Sequence, residues 1–79
     1  MNDKTIKVRL HNIETIKKFV QVVRGFISDV DIMTEHAVLD AKSIMGIYAL
    51  NLYDDTYVRI ISDNINELRE FDSAMEEFM

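Results

Sequence analysis

Between residues 13 and 27 the apolar positions Ile13, Ile16, Phe19, Val20, Val23, Phe26 and Ile27 recur at intervals of three and four. That spacing lines one face of an α-helix. Lys17, Lys18, Gln21 and Arg24 fall on the opposite, wet side. Asn12 precedes the run as a good N-cap, and Gly25 stands near its end, where it helps the helix stop. A helix with a single apolar stripe has to bury it against another layer. The flanking sequence supplies that layer as strands.

Residues 5–10 alternate, with Ile6, Val8 and Leu10 on one side and Thr5, Lys7 and Arg9 on the other, which predicts a half-buried strand. Val30, Ile32 and Val38 carry a second alternation across residues 29–40, and the polar run Thr34, Glu35, His36, Ala37 predicts the turn of a hairpin. Asp54 and Asp55 mark a turn before a fourth strand over residues 57–61, rich in β-favouring side chains. Asn64, with Glu67 three residues on, resembles a capping box at the start of the last helix. Ile65, Leu68, Phe71, Met75 and Phe78 form its apolar stripe, and Glu67, Arg69, Glu70, Glu76 and Glu77 its wet face.

The most unusual stretch is residues 42–52. Ser43 stands as an N-cap, and Ile44, Met45, Ile47, Tyr48, Leu50 and Leu52 are too many apolar groups for one buried stripe of a short helix. With Ile47 and Leu50 turned to the core, Ile44, Met45 and Tyr48 are left largely in water, and an exposed apolar cluster marks a contact site. The alternative is a small second core beneath this helix. The order is strand, helix, strand, strand, helix, strand, helix (βαββαβα), an α+β chain with a four-stranded antiparallel sheet and three helices on one face. The expected core is Ile6, Val8, Phe19, Val20, Val23, Val30, Ile32, Ile47, Leu50, Val58, Ile60, Leu68 and Met75.

Composition narrows the function. At 79 residues the chain is one domain, 1–79, too small for a deep catalytic cavity. The absence of cysteine removes disulfides and thiolate metal sites, and the two histidines, His11 and His36, lack ligand spacing. No metal or cofactor is therefore expected. A net charge of −5 argues against nucleic acid and anionic membranes as partners. No run is long enough to span a membrane, and residues 1–4 lack the apolar core of a signal peptide, so the expected location is the cytoplasm.

Lys42, Ser43, Ile44, Met45 and Gly46 match the motif around the regulatory serine of HPr, the phosphocarrier of the bacterial sugar phosphotransferase system. The first helix, the strand entry at Asp29 and Val30, the closing Ala74–Glu77 segment and the βαββαβα succession fall at the same spacing, so nearly the whole chain resembles this family. The resemblance implies an open-faced β-sandwich and partners drawn from the phosphotransferase system or its regulators. It implies phosphorylation of Ser43 by a kinase that senses metabolic state, and a docking surface at Ile44, Met45 and Tyr48. Lys17 and Lys18, with Lys7, Arg9 and Arg24, fall in a region that faces docking partners in HPr.

At the phosphoryl site this sequence departs from the pattern. HPr proteins carry a histidine that caps the first helix and an arginine two residues later. Aligned backwards from Asp29 and Val30, those positions hold Asn12 and Glu14. An amide is not a useful phosphoryl acceptor, and a carboxylate within about 4–6 Å of a phosphoryl group repels it. His11 lies one residue early, which turns it by about 100° on helical geometry. The sequence therefore predicts a regulatory or interaction protein without phosphohistidine transfer and with no catalytic residues, as a monomer or weak dimer. A working phosphocarrier using His11 is the first alternative. A small-molecule regulatory domain of the ACT kind is the second, and the lack of a glycine between Leu10 and Ile13 argues against it.

Overall fold

The computed structural model describes residues 2–43, 47 and 55–79. Four strands, β1 (Asn2–Val8), β2 (Val30–Met33), β3 (Val38–Asp40) and β4 (Thr56–Ser62), form one sheet in the order β1-β4-β2-β3. Every neighbouring pair is antiparallel. Helices α1 (Ile13–Arg24) and α2 (Ile65–Met75), with a 3₁₀ turn at Glu76–Phe78, contribute the other half of the core. Of the three expected helices, the one from Ser43 lies outside the described residues except for Ile47, which is buried.

Strand β1 starts earlier than its alternation suggests and stops at Val8, because its register with β4 runs from Asn2 opposite Ser62 to Val8 opposite Thr56. The hairpin between β2 and β3 closes as expected, with the Thr34 N–H donating to the Ala37 carbonyl at 2.8 Å. Central strand β4 alternates cleanly. Thr56, Val58, Ile60 and Ser62 are buried, and Tyr57, Arg59 and Ile61 stand on the more open face. There Arg59 pairs with Asp31, its register partner on β2, at 3.1 Å.

Most of the expected core is buried, and Leu10, Ile16, Ala41, Phe71 and Phe78 complete it. Phe19 meets Phe78 edge to face with ring centroids 5.3 Å apart, and Phe26 meets Phe71 at 5.6 Å. Burying each such side chain stabilises the fold by about 1.5–3 kcal/mol. Ile6 is only half-buried, and Leu50 lies outside the described residues.

Three apolar residues assigned to helix stripes are exposed. Ile13 (58%) and Ile65 (59%) are the first residues of their helices, where the side chain points back past the helix start and misses the core. Ile27 is 96% exposed because α1 ends at Arg24, so the helical period no longer sets its direction. Gly25 is the C-cap as expected, in an ordinary right-handed conformation (φ −72°), so the stop uses no glycine-only geometry.

The capping box at α2 forms only in half. The Asn64 side chain accepts from the N–H groups of Asn66 and Glu67, but the Asn64 N–H donates to Ser62 Oγ and not to Glu67. Glu67 turns away from the wet face instead. It accepts from the N–H groups of Ile27 (3.0 Å) and Ser28 (3.2 Å) and from the Ser28 hydroxyl, tying α2 to the segment after α1.

Candidate functional site

The start of α1 is held from both sides. Upstream, the Arg9 N–H donates to the Phe78 carbonyl at 2.6 Å and Leu10 is buried, which fixes the approach from β1. Downstream, Asn12 is extended (φ −148°, ψ 164°) and its Oδ1 accepts the Thr15 N–H at 2.8 Å. The Asn12 carbonyl accepts the Ile16 N–H, the first bond of the helix. Asn12 therefore occupies the N-cap with its side-chain oxygen engaged. Glu14 sits exposed in the first turn, where a carboxylate favours the helix dipole but opposes any incoming anion.

His11 is exposed, one residue before the cap. Although β1 ends at Val8, the alternation of burial continues. Val8 and Leu10 are inside, while Lys7, Arg9 and His11 are outside. The last three line one open cavity of about 450 Å³, together with Val8, Asp55, Thr56 and Met79. The sequence shows this periodicity as far as Arg9, and His11 continues it beyond the end of the strand.

The other basic residues are spread out. Lys18 pairs with Glu77 at 2.7 Å, and Lys17 is exposed on α1. Arg24 donates from Nε to the Lys42 carbonyl at 3.2 Å, and Lys42 donates to the Phe26 carbonyl at 2.7 Å. Lys17, Lys18 and Arg24 thus do not line the cavity that holds Lys7 and Arg9. His36 is exposed at the hairpin turn, 3.8 Å from the Glu35 carboxylate. Among the described residues no three His, Asp or Glu side chains converge as metal ligands.

Ser43 is exposed at the end of a turn built by Asp40. The Asp40 carboxylate accepts the Lys42 N–H at 2.9 Å, and its carbonyl accepts the Ser43 N–H at 3.1 Å. The Ser43 carbonyl accepts the Ile47 N–H at 3.2 Å, the bond an N-cap residue makes with its first turn. Ile44, Met45 and Tyr48 lie outside the described residues.

The hydrogen bonding singles out Glu67, which the sequence marks only as a capping-box partner on the wet face of the last helix. Hydrogen bonds from the hydroxyls of Ser28 and Ser62, and then from the backbone of Ser28 and Ile27, hold its carboxyl down to about 2 against the opposing effect of burial. These donors stabilise the charged form, and the contact is a structural clamp.

A four-stranded antiparallel sheet backed by helices defines an open-faced β-sandwich of the α+β class. A family model described as the PTS HPr component phosphorylation site matches residues 6–79, and the chain belongs to this HPr family of the phosphotransferase system. Two crystal structures are similar in fold. HPr-C-His from Thermoanaerobacter tengcongensis is 23% identical with a TM-score of 0.68, over 98% of this chain and 93% of that one. The phosphocarrier protein HPr from Bacillus anthracis str. Ames is 22% identical with a TM-score of 0.73, over 99% and 96%. No curated relative matches the chain at a significant level. No described helix is long and apolar enough to cross a membrane.

Proposed function

We propose that this HPr-family protein acts by binding a protein partner and does not carry a phosphoryl group on histidine. One observation carries the reading: the N-cap of α1 is Asn12, with its Oδ1 already bonded to the Thr15 N–H, and the first turn bears Glu14. A phosphoryl group delivered to that helix start finds no imidazole to accept it and a carboxylate in place of a neutralising cation. The partner belongs to the phosphotransferase system or its regulators. Its docking surface comprises Ile44, Met45 and Tyr48, with Lys17 and Lys18 as steering charges. Ser43 is the regulatory modification site of this reading, and its exposure supports that role. A phosphate there gains from the helix N-terminus and loses to the Asp40 carboxylate, so the modification changes charge at a docking surface.

A second reading has one observation in its favour. His11 shares its side of the chain with Arg9 and Lys7, whose cations suit a phosphorylated imidazole. Incubation with phosphoenolpyruvate and the purified general phosphotransferase separates the two. The first reading expects no acid-labile label. Efficient labelling that is lost in His11→Ala establishes the second and removes the first.

A further inference from the structure

The cavity beside β1 contains more than the proposed docking function uses. In an extended segment alternate residues lie about 6.6–6.8 Å apart on one side. Lys7, Arg9 and His11 therefore form a row of three nitrogen-bearing groups along one wall. The row is fixed from behind, because Val8 and Leu10 are buried between its members and the Arg9 N–H is anchored on the Phe78 carbonyl.

The charge along this row is uneven. Lys7 is matched by Asp55 at 3.2 Å, in a pair whose side chains are 56% and 73% exposed. Neither the Arg9 guanidinium nor the His11 imidazole has a hydrogen-bond or ion-pair partner among the described residues. Arg9 is thus the cation of the cavity wall left without a carboxylate partner among the described residues. The planar guanidinium presents paired N–H donors that match two oxygens of a phosphate, and an imidazole adjacent to it supplies a third donor.

The volume indicates what else fits. About 450 Å³ lies within the range of small-molecule sites and far exceeds the need of one inorganic phosphate. Beyond Arg9 the wall continues to Lys7 and Asp55, a donor and acceptor pair suited to hydroxyl groups. The buried Thr56 also lines the cavity. We propose that this cavity binds, without covalent transfer, a phosphomonoester with a small hydroxylated body. The phosphate lies at Arg9 and His11 and the hydroxyls face Lys7 and Asp55. This goes beyond partner docking and does not depend on it, since the site involves neither Ser43 nor the wet face of α1.

The test is an amide chemical-shift titration of the full chain at constant ionic strength, with inorganic phosphate, glycerol 3-phosphate and uncharged glycerol as probes. Saturable shifts at Arg9 and His11 are expected with both phosphates, extending to Lys7 and Asp55 with glycerol 3-phosphate only, and none with glycerol. Arg9→Gln should weaken binding about tenfold or more, as loss of charge-assisted hydrogen bonds does. Arg69→Gln, exposed on α2 and outside the cavity, should bind as the parent does. Tighter binding of glycerol 3-phosphate than of phosphate supports the ester, whereas equal binding makes free phosphate the ligand and overturns the hydroxyl contacts. Shifts matched by sodium chloride, or unchanged in Arg9→Gln, overturn the site.

Discussion

Glu67, in the first turn of α2, accepts the hydroxyl and the backbone N–H of Ser28, a residue beyond the end of α1. The contact joins two elements that are distant in sequence and that belong to one layer over the sheet. A carboxylate with several donors is depressed in pKa, and here the value falls from about 4.5 to about 2. A group whose folded pKa is lowered contributes stability above its unfolded pKa and loses it as pH falls through the folded value. Glu67→Gln should therefore cost about 1–2 kcal/mol at pH 7, a figure reduced for solvent screening of a half-buried group. Urea titrations should show the gap between parent and variant closing as pH drops from about 4.5 toward about 2. A gap that stays constant with pH means that the clamp acts through packing and not charge.

The N-cap offers a smaller, cleaner effect. Asn12→Ala removes the acceptor for the Thr15 N–H and should destabilise the fold by about 1 kcal/mol, while Asn12→Asp keeps an acceptor and should cost much less. Thermal unfolding of the three proteins side by side checks the ordering.

Much of the scaffold was legible because period and burial coincide in long elements. Phe19, Val20 and Val23 on α1 and Val58 and Ile60 on β4 are buried where spacing placed them. The misses cluster at element ends. Ile13, Ile27 and Ile65 obey the spacing, but the period determines direction only where the helix continues on both sides. Glu67 was misassigned for another reason: a capping-box glutamate looks the same in sequence whether it turns back to its own cap or reaches another element. At the candidate site, Asn12 as the N-cap and Glu14 in the first turn were readable directly. The row of Lys7, Arg9 and His11 was not recognised because its alternation continues past the end of strand pairing, into a segment with no ladder partner to mark it.

Arg59 and Asp31 face each other across β4 and β2 with side chains one-third exposed, and Arg59 Nε is buried without a hydrogen-bond partner among the described residues. Cross-strand ion pairs couple weakly when solvent reaches them. A double-mutant cycle with Arg59→Met and Asp31→Asn should return a coupling of about 0.5–1 kcal/mol in denaturant titration. A coupling near zero means that solvent screens the pair fully.

Phosphoryl chemistry supplies the most demanding test. Asn12 caps α1 and Glu14 stands in its first turn, and the proposed function takes these as the positions that lack an acceptor and a neutralising charge. Asn12→His alone puts an imidazole at the cap but leaves a carboxylate in the first turn. Glu14→Arg alone supplies the cation with nothing to phosphorylate. Groups that act as one site give non-additive effects, so restoring transfer should take both changes. With phosphoenolpyruvate and the general phosphotransferase, the double variant should acquire acid-labile label well above either single variant. Asn12 and Glu14 are both exposed, and because Asn12→His gives up the Thr15 cap bond, thermal unfolding of each variant separates lost folding from lost transfer. If the parent is itself labelled efficiently and His11→Ala removes the label, the acceptor lies one residue earlier than the alignment places it. The protein is then a working carrier whose neutralising charge comes from Arg9.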